Sequence, residues 1–193
     1  MRLNILNTGY SFGTKFLFGF IRAMSRHPLP DAAKIIFYRP DFYGSPMKKV
    51  TQLAMRGASE WSVAERELMV AYISKLNNCE FCIKAHVATS SIAYKDKDKV
   101  LKVLDDVETA LITEPLRATL RLLEKLTKEQ TVNSNDIRKV KSAGVSTKQI
   151  KDALAVCFAF NITNRLADTF KFEVLNQKAM ESGAKYLLFR GYR

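Results

Sequence analysis

Between Glu67 and His86 the chain gathers a carboxylate, two cysteines and a histidine at spacings that suit thiol chemistry. Eleven residues separate Glu67 from Cys79, two separate Cys79 from Cys82, and three separate Cys82 from His86. On one helix Cys79, Cys82 and His86 fall on a common face. A helix N-terminus and a nearby imidazole both favour thiolate over thiol, and such settings lower a cysteine pKa from about 8.5 to between roughly 3.5 and 7.5. The expected chemistry is a nucleophilic sulfur, a second thiol that can close a disulfide with it, and a histidine that handles the proton. Position in the first helical turn slightly favours Cys79 as the more reactive sulfur, but spacing does not decide which one attacks.

The elements that position these groups must bend. Ser62 and Glu65 have the form of a capping box, which starts a helix near Val63 and carries Glu67 in its second turn. On one unbroken helix Glu67 and Cys82 would stand roughly 22 Å apart, too far for a proton to pass. Asn77-Asn78 supplies the break, with Asn78 expected to cap a second helix and the two arms forming a hairpin. Val63, Leu68, Val70, Ala71, Ile73 and Leu76 surround Glu67 with apolar side chains. Burial there implies a raised pKa, and hence a carboxyl that can accept and return protons near neutral pH.

These residues resemble the active-site signature of the alkylhydroperoxidase D and carboxymuconolactone decarboxylase superfamily, in particular its peroxidase-related branch. The similarity continues through Arg56-Gly57-Ala58-Ser59-Glu60, Ala64-Glu65-Arg66-Glu67 and Asn164-Arg165-Leu166-Ala167-Asp168, and covers most of residues 28 to 192. It implies an all-α helical bundle whose central helical hairpin carries the Cys-x-x-Cys motif. It also implies an antioxidant oxidoreductase, a thiol-dependent peroxidase in which Cys82 attacks a hydroperoxide, Cys79 resolves the product to a redox-active disulfide, and Glu67 and His86 relay protons. No bound cofactor is implied; a lipoyl-bearing or thioredoxin-like dithiol protein would regenerate the thiols. Such proteins associate as dimers, trimers or hexamers, so a homo-oligomer is expected. Better-studied members carry a histidine between the two cysteines, where this chain has Glu80-Phe81. The alternatives are a general disulfide oxidoreductase, a decarboxylase-like enzyme using Glu67 and His86 without sulfur chemistry, and a non-catalytic helical scaffold.

Metal binding is the rival use of the motif. Cys79, Cys82 and His86 would give zinc three ligands, with Glu67 or water as the fourth. Structural zinc sites usually take two ligand pairs, and the sequence has neither a second Cys-x-x-Cys nor a pair of nearby histidines, so no metal is expected. Cys157 lies in an apolar run and reads as an inert core thiol. His27, between Arg26 and Pro28, reads as a surface connector residue.

A length of 193 residues suits one domain with an added arm, taken here as an N-terminal arm over 1–27 and a single helical domain over 28–193. Hydrophobic content of 47% with 26% charged residues is a globular composition. No stretch approaches the roughly 18 uninterrupted apolar residues of a spanning helix, so integral membrane association is not expected. The apolar run Phe16 to Ile21 is short, is followed by Arg22 and Arg26, and has no small-residue cleavage site, which argues against a signal peptide. Three cysteines without such a signal point to a reducing compartment, the cytoplasm. The arm is expected to pack on the domain or on a neighbouring subunit, with peripheral membrane contact as the other reading. Of the net charge of +12, residues 1–56 carry nine basic groups against two acidic ones. The basic residues neither form runs nor interleave with a nucleic-acid motif, so a solvated basic surface is expected and no nucleic-acid partner.

Capping and periodicity predict the remaining helices. They run over Ala32–Tyr38, over Met47–Met55 with Ser45 as cap and Gly57 as stop, within 96–106, and from Thr113-Glu114-Pro115 onward. A short helix capped by Ser134 ends at Ala143, and the Ser146/Gln149 capping box opens a last long helix over Lys148–Phe170. Asn161, Asn164 and Asp168 sit on that helix among apolar residues, placed either to line the site or to pin a helix contact. No strand-like alternation occurs.

Overall fold

The capping signals and apolar periodicity translate into eleven α-helices among the described residues, with no strand between them. The structure is a computed structural model and describes residues 5–192, so the first four residues of the N-terminal arm and Arg193 lie outside it. Helix α1 covers Ile5–Thr8, α2 Phe12–Ser25 and α3 Asp31–Tyr38; a π-helical turn, Pro40–Gly44, leads into α4, Ser45–Arg56. The hairpin follows as α5, Val63–Leu76, and α6, Glu80–Tyr94. Then come α7, Lys97–Asp105, α8, Glu114–Glu129, α9, Ser134–Ser142, α10, Thr147–Phe170, and α11, Gln177–Arg190.

The hairpin is the centre of the bundle. Every residue of α5 from Arg66 to Ser74 is buried, so this helix has no wet face, and α6, α8 and α10 all pack against it. Helices α7 and α11 flank α6. The main core is built from Met55, Leu68, Met69, Ile73, Val100, Val103, Leu120, Leu123 and Phe160. A second, smaller cluster brings Leu6 and Ile35 together with Cys79, Phe81, Cys82, Ala167, Phe172 and Met180. The dithiol therefore sits in its own apolar pocket of packing, to which the N-terminal segment contributes Leu6.

The predicted break between α5 and α6 is present, with a different cap. Asn78 is not an N-cap: it takes the left-handed conformation at φ 57°, which asparagine tolerates better than most residues. Its N–H donates to the Lys75 carbonyl and that of Cys79 to the Ser74 carbonyl, both at 3.0 Å, a Schellman closure of α5. The N-cap of α6 is Cys79 itself, without a side-chain capping bond. One turn thus ends the helix of the carboxylate and begins the helix of the thiols.

The capping boxes at Ser62/Glu65 and Ser146/Gln149 form as predicted. Three other boundaries shift. Ser45 lies inside α4, because the π-helical turn over Pro40–Gly44 runs straight into it and the Ser45 N–H donates to the Pro40 carbonyl. Asn133, not Ser134, caps α9, in a box with Asp136. And α10 is not the last helix: α11, capped by Asn176, follows it. Only Ala179, Met180 and Ala184 of α11 are buried, too few to mark it by periodicity. The glycine-interrupted arm is also helical, as α2, with Ser11 accepting from the Thr14 N–H at its start. Among the described residues no helix is long and apolar enough to cross a membrane.

A candidate dithiol site

Glu67 is fully buried in the second turn of α5, and it keeps company with donors rather than with apolar groups alone. His86 Nδ1 lies 2.7 Å from its Oε2, and Arg56 Nη2 donates to its Oε1 at 2.7 Å. The Tyr192 hydroxyl donates to the same carboxylate, 3.0 Å from Oε1 and 3.3 Å from Oε2. Burial pushes the Glu67 pKa up, but hydrogen bonding and charge from His86, with the charge of Arg56, outweigh it and hold the group below its ordinary value. The raised pKa expected from the apolar neighbours is therefore wrong in sign: the burial is there, and so are His86 and two further polar partners, Arg56 and Tyr192, that the local sequence does not display.

An ionised carboxylate can only accept hydrogen bonds, so His86 presents its Nδ1–H to Glu67. That leaves Nε2 as the free face of the ring, and no hydrogen bond joins it to another described residue. The ring is braced edge-on by Phe160, at 4.7 Å between centroids, and Phe160 in turn meets Tyr192 at 6.2 Å. Glu67 thus fixes the orientation of the imidazole through Nδ1, an arrangement that can keep Nε2 available as an acceptor.

Cys79 and Cys82 are each 1% exposed, with their sulfurs 2.7 Å apart, against about 2.05 Å for the bond they would form on oxidation. Burial and the neighbouring sulfur have a clear electrostatic consequence. Hydrogen bonding with Cys79, then desolvation, then the Cys79 charge and that of Asp168 push the Cys82 pKa upward. A lowered pKa is expected for one of the two sulfurs; at Cys82, although it lies in the first turn of α6, the contact with Cys79 and burial act the other way in the resting site, since two sulfurs in contact cannot both carry charge. The phenol of Tyr43 is close enough for a Cys82 thiolate to raise its pKa, after the larger effect of burial.

The predicted site residues therefore assemble as two pairs on one hairpin, Glu67 with His86 and Cys79 with Cys82. His86 follows Cys82 by one helical turn, but no hydrogen bond links the imidazole to either sulfur in this state. Cys79 lines a cleft of about 210 Å³ together with Asn78, Phe81, Asp168, Lys171 and Phe172; Cys82 does not. Among the described residues no group of three or more His, Cys, Asp or Glu side chains gathers as a metal site requires. Cys157 is fully buried and its pKa is raised by burial, as an inert core thiol requires.

Of the polar residues on α10, Asn164 accepts from Ser74 at 3.2 Å and Asn161 accepts from Asn77 at 2.9 Å. Both pin α10 to the end of α5, next to the turn, and of the three only Asp168 reaches the cleft. The sequence reading missed two partners of Glu67. Arg56 ends α4, where it also donates to the Leu187 carbonyl at 3.0 Å, and nothing but its place in the family-like stretch marks it. Tyr192 stands 125 positions from Glu67 with no local pattern to reveal it.

Residues 45–125 match the carboxymuconolactone decarboxylase family. No curated protein matches the chain. Among solved structures, an uncharacterised peroxidase-related protein from a Silicibacter species has a TM-score of 0.79 at 20% identity, over 94% of this chain and 95% of the other. Another uncharacterised peroxidase-related protein, from Ralstonia eutropha and described as an alkylhydroperoxidase AhpD core, has a TM-score of 0.75 at 21% identity, over 90% and 91%. Those likenesses are of fold, and the family match falls on the helices that carry all four predicted site residues. The chain thus shares the helical fold of these AhpD-like structures, and its central segment, residues 45–125, is similar to the carboxymuconolactone decarboxylase family.

Proposed function

We propose that the protein is a dithiol peroxidase that reduces hydroperoxides at Cys79 and Cys82. The observation that carries this reading is a pair of thiols with sulfurs 2.7 Å apart, one helical turn before a histidine whose ring is oriented by a buried carboxylate. His86 Nε2 takes the proton of Cys82, which the resting site otherwise holds tightly. The thiolate attacks the peroxide oxygen, breaking the O–O bond; the sulfur becomes a sulfenic acid and the alkoxide leaves as an alcohol with the proton from His86. Cys79 then displaces hydroxide from the sulfenic acid, giving the disulfide and water. The two thiols are oxidised by two electrons in all, and one peroxide is reduced. An external dithiol protein, lipoyl-bearing or thioredoxin-like, restores the pair by attacking Cys79, the one of the two residues that lines the cleft. A homo-oligomer in a reducing cytoplasm completes the reading.

The test is to add hydrogen peroxide or cumene hydroperoxide to the reduced protein and weigh it. A loss of two hydrogens mapped to the Cys79–Cys82 peptide is expected, abolished by Cys82→Ser. With Cys79→Ser, a sulfenic acid should be trappable on Cys82; trapping only on Cys79 in Cys82→Ser would reverse the roles of the sulfurs. Unchanged mass in the native protein would end the peroxidase reading. Turnover of a lactone or keto acid that Glu67→Gln abolishes and both serine variants retain would replace it with the decarboxylase-like one.

A further inference from the structure

We propose that α2 is an interfacial helix that docks the protein on an anionic lipid surface. Phe12, Phe16, Phe20 and Met24 follow one another at four-residue spacing and so form one stripe along the helix. They are 87%, 71%, 59% and 73% exposed. Phe18, on another side of the helix, packs edge-on against Tyr10 and Phe37 at centroid distances of 4.9 and 5.3 Å. That contact ties α2 to α3 and turns the stripe away from the protein. A continuous aromatic face of this kind is uncommon on a protein surface unless something covers it.

Charge selects the occupant. Lys15 and Arg22 on α2 and Arg26 at its C-cap are all exposed, and no acidic residue occurs before Asp31. The carboxylate of Asp31 is itself buried and held by Lys34 at 2.8 Å. An aromatic face on a helix whose charged residues are all basic is the composition of a helix lying in the headgroup region, where phenylalanines enter the acyl boundary and lysine and arginine reach for lipid phosphates. Two copies of α2 set stripe against stripe would instead bring together two helices that carry only basic charge, with no acid on either to balance it. Neither Phe16 nor Phe20 belongs to the apolar cluster around the sulfurs or lines the cleft beside Cys79.

Full-length protein should be sedimented with phosphatidylcholine vesicles and with vesicles of phosphatidylcholine mixed with phosphatidylglycerol. Binding is expected on the mixed vesicles, falling with added salt and weaker by at least about tenfold on neutral ones. Phe16→Glu/Phe20→Glu should lose binding by at least about tenfold, and Lys15→Glu/Arg22→Glu should lose it on anionic vesicles while keeping the same thermal melt. The inference is overturned if the native protein leaves both vesicle types unbound, if either variant binds as the native chain does, or if the phenylalanine substitutions break up an oligomer in sedimentation velocity and leave vesicle binding unchanged.

Discussion

Glu67 owes its charge to His86 and Arg56, with the Tyr192 hydroxyl as a further donor to the carboxylate, and each of these can be removed in turn. Glu67→Gln leaves the Arg56 guanidinium, whose side chain is 11% exposed, without its counter-charge, and should cost about 3 kcal/mol in urea unfolding. Tyr192→Phe removes one neutral donor and should cost about 1 kcal/mol while slowing peroxide-driven disulfide formation by a smaller factor than Glu67→Gln. The lowered pKa of Glu67 also fixes the sign of a pH effect. Below its ordinary value of about 4.3 the unfolded chain binds a proton that the folded chain resists, so the stability Glu67 contributes is present above that pH and is lost as the pH falls through the folded pKa. Stability measured from pH 7 downward should therefore drop less steeply in acid for Glu67→Gln than for the native protein; parallel curves would show that Glu67 is not held ionised. That Glu67, Cys79, Cys82 and His86 gather on one hairpin was legible from spacing, and the burial of Glu67 from its neighbours. The sign of its pKa was not, because the 2.7 Å bond to His86 exists only in the packed hairpin and Arg56 arrives from eleven residues upstream.

The turn between α5 and α6 decides whether those residues can act together. Asn78 at φ 57° is the residue on which the Schellman closure depends. Asn78→Ala should destabilise by about 1 kcal/mol, since an alanine in the left-handed region bears a Cβ clash that the asparagine side chain offsets locally, whereas Asn78→Gly should be tolerated. Denaturant midpoints check the energies, and the rate of disulfide closure under peroxide checks the geometry: Ala should slow it and Gly should not. The Asn77-Asn78 pair announced the break in the sequence, but not its form, because an asparagine before a helix and an asparagine in a left-handed turn look alike until the backbone hydrogen bonds are known. The same limit moved the cap of α9 from Ser134 to its neighbour Asn133. Helix α11 escaped notice for another reason: it lies on α6 with three small or flexible side chains buried, so it has almost no apolar face to read.

At the scale of the whole molecule, the two ends of the chain converge on the hairpin. Leu6 enters the cluster around the sulfurs, and the C-terminal segment reaches the carboxylate: α11 offers the Leu187 carbonyl to Arg56, and beyond it the Tyr192 N–H donates to Gln52 Oε1 at 2.7 Å. Gly191 makes the bend, at φ 72° and close against the Gln52 side chain, where a Cβ would be crowded. Arg56 also lies over the Tyr192 ring, 5.0 Å from its centroid, so the last residues cover the guanidinium as well as partner the acid. Ending the chain at Arg190 should therefore do more than Tyr192→Phe. Both lose the hydroxyl; only the truncation removes the ring that shields the Arg56–Glu67 pair and the tie to α4, and lets water onto a buried charge pair. The melting temperature should fall by several degrees, as expected for a loss of about 2 kcal/mol in a domain of this size, and disulfide formation under peroxide should slow at least about tenfold, in step with a freer His86 ring. If the truncated chain instead melts and reacts as Tyr192→Phe does, the tail acts through one hydroxyl and the Glu67 environment is complete without the rest of it.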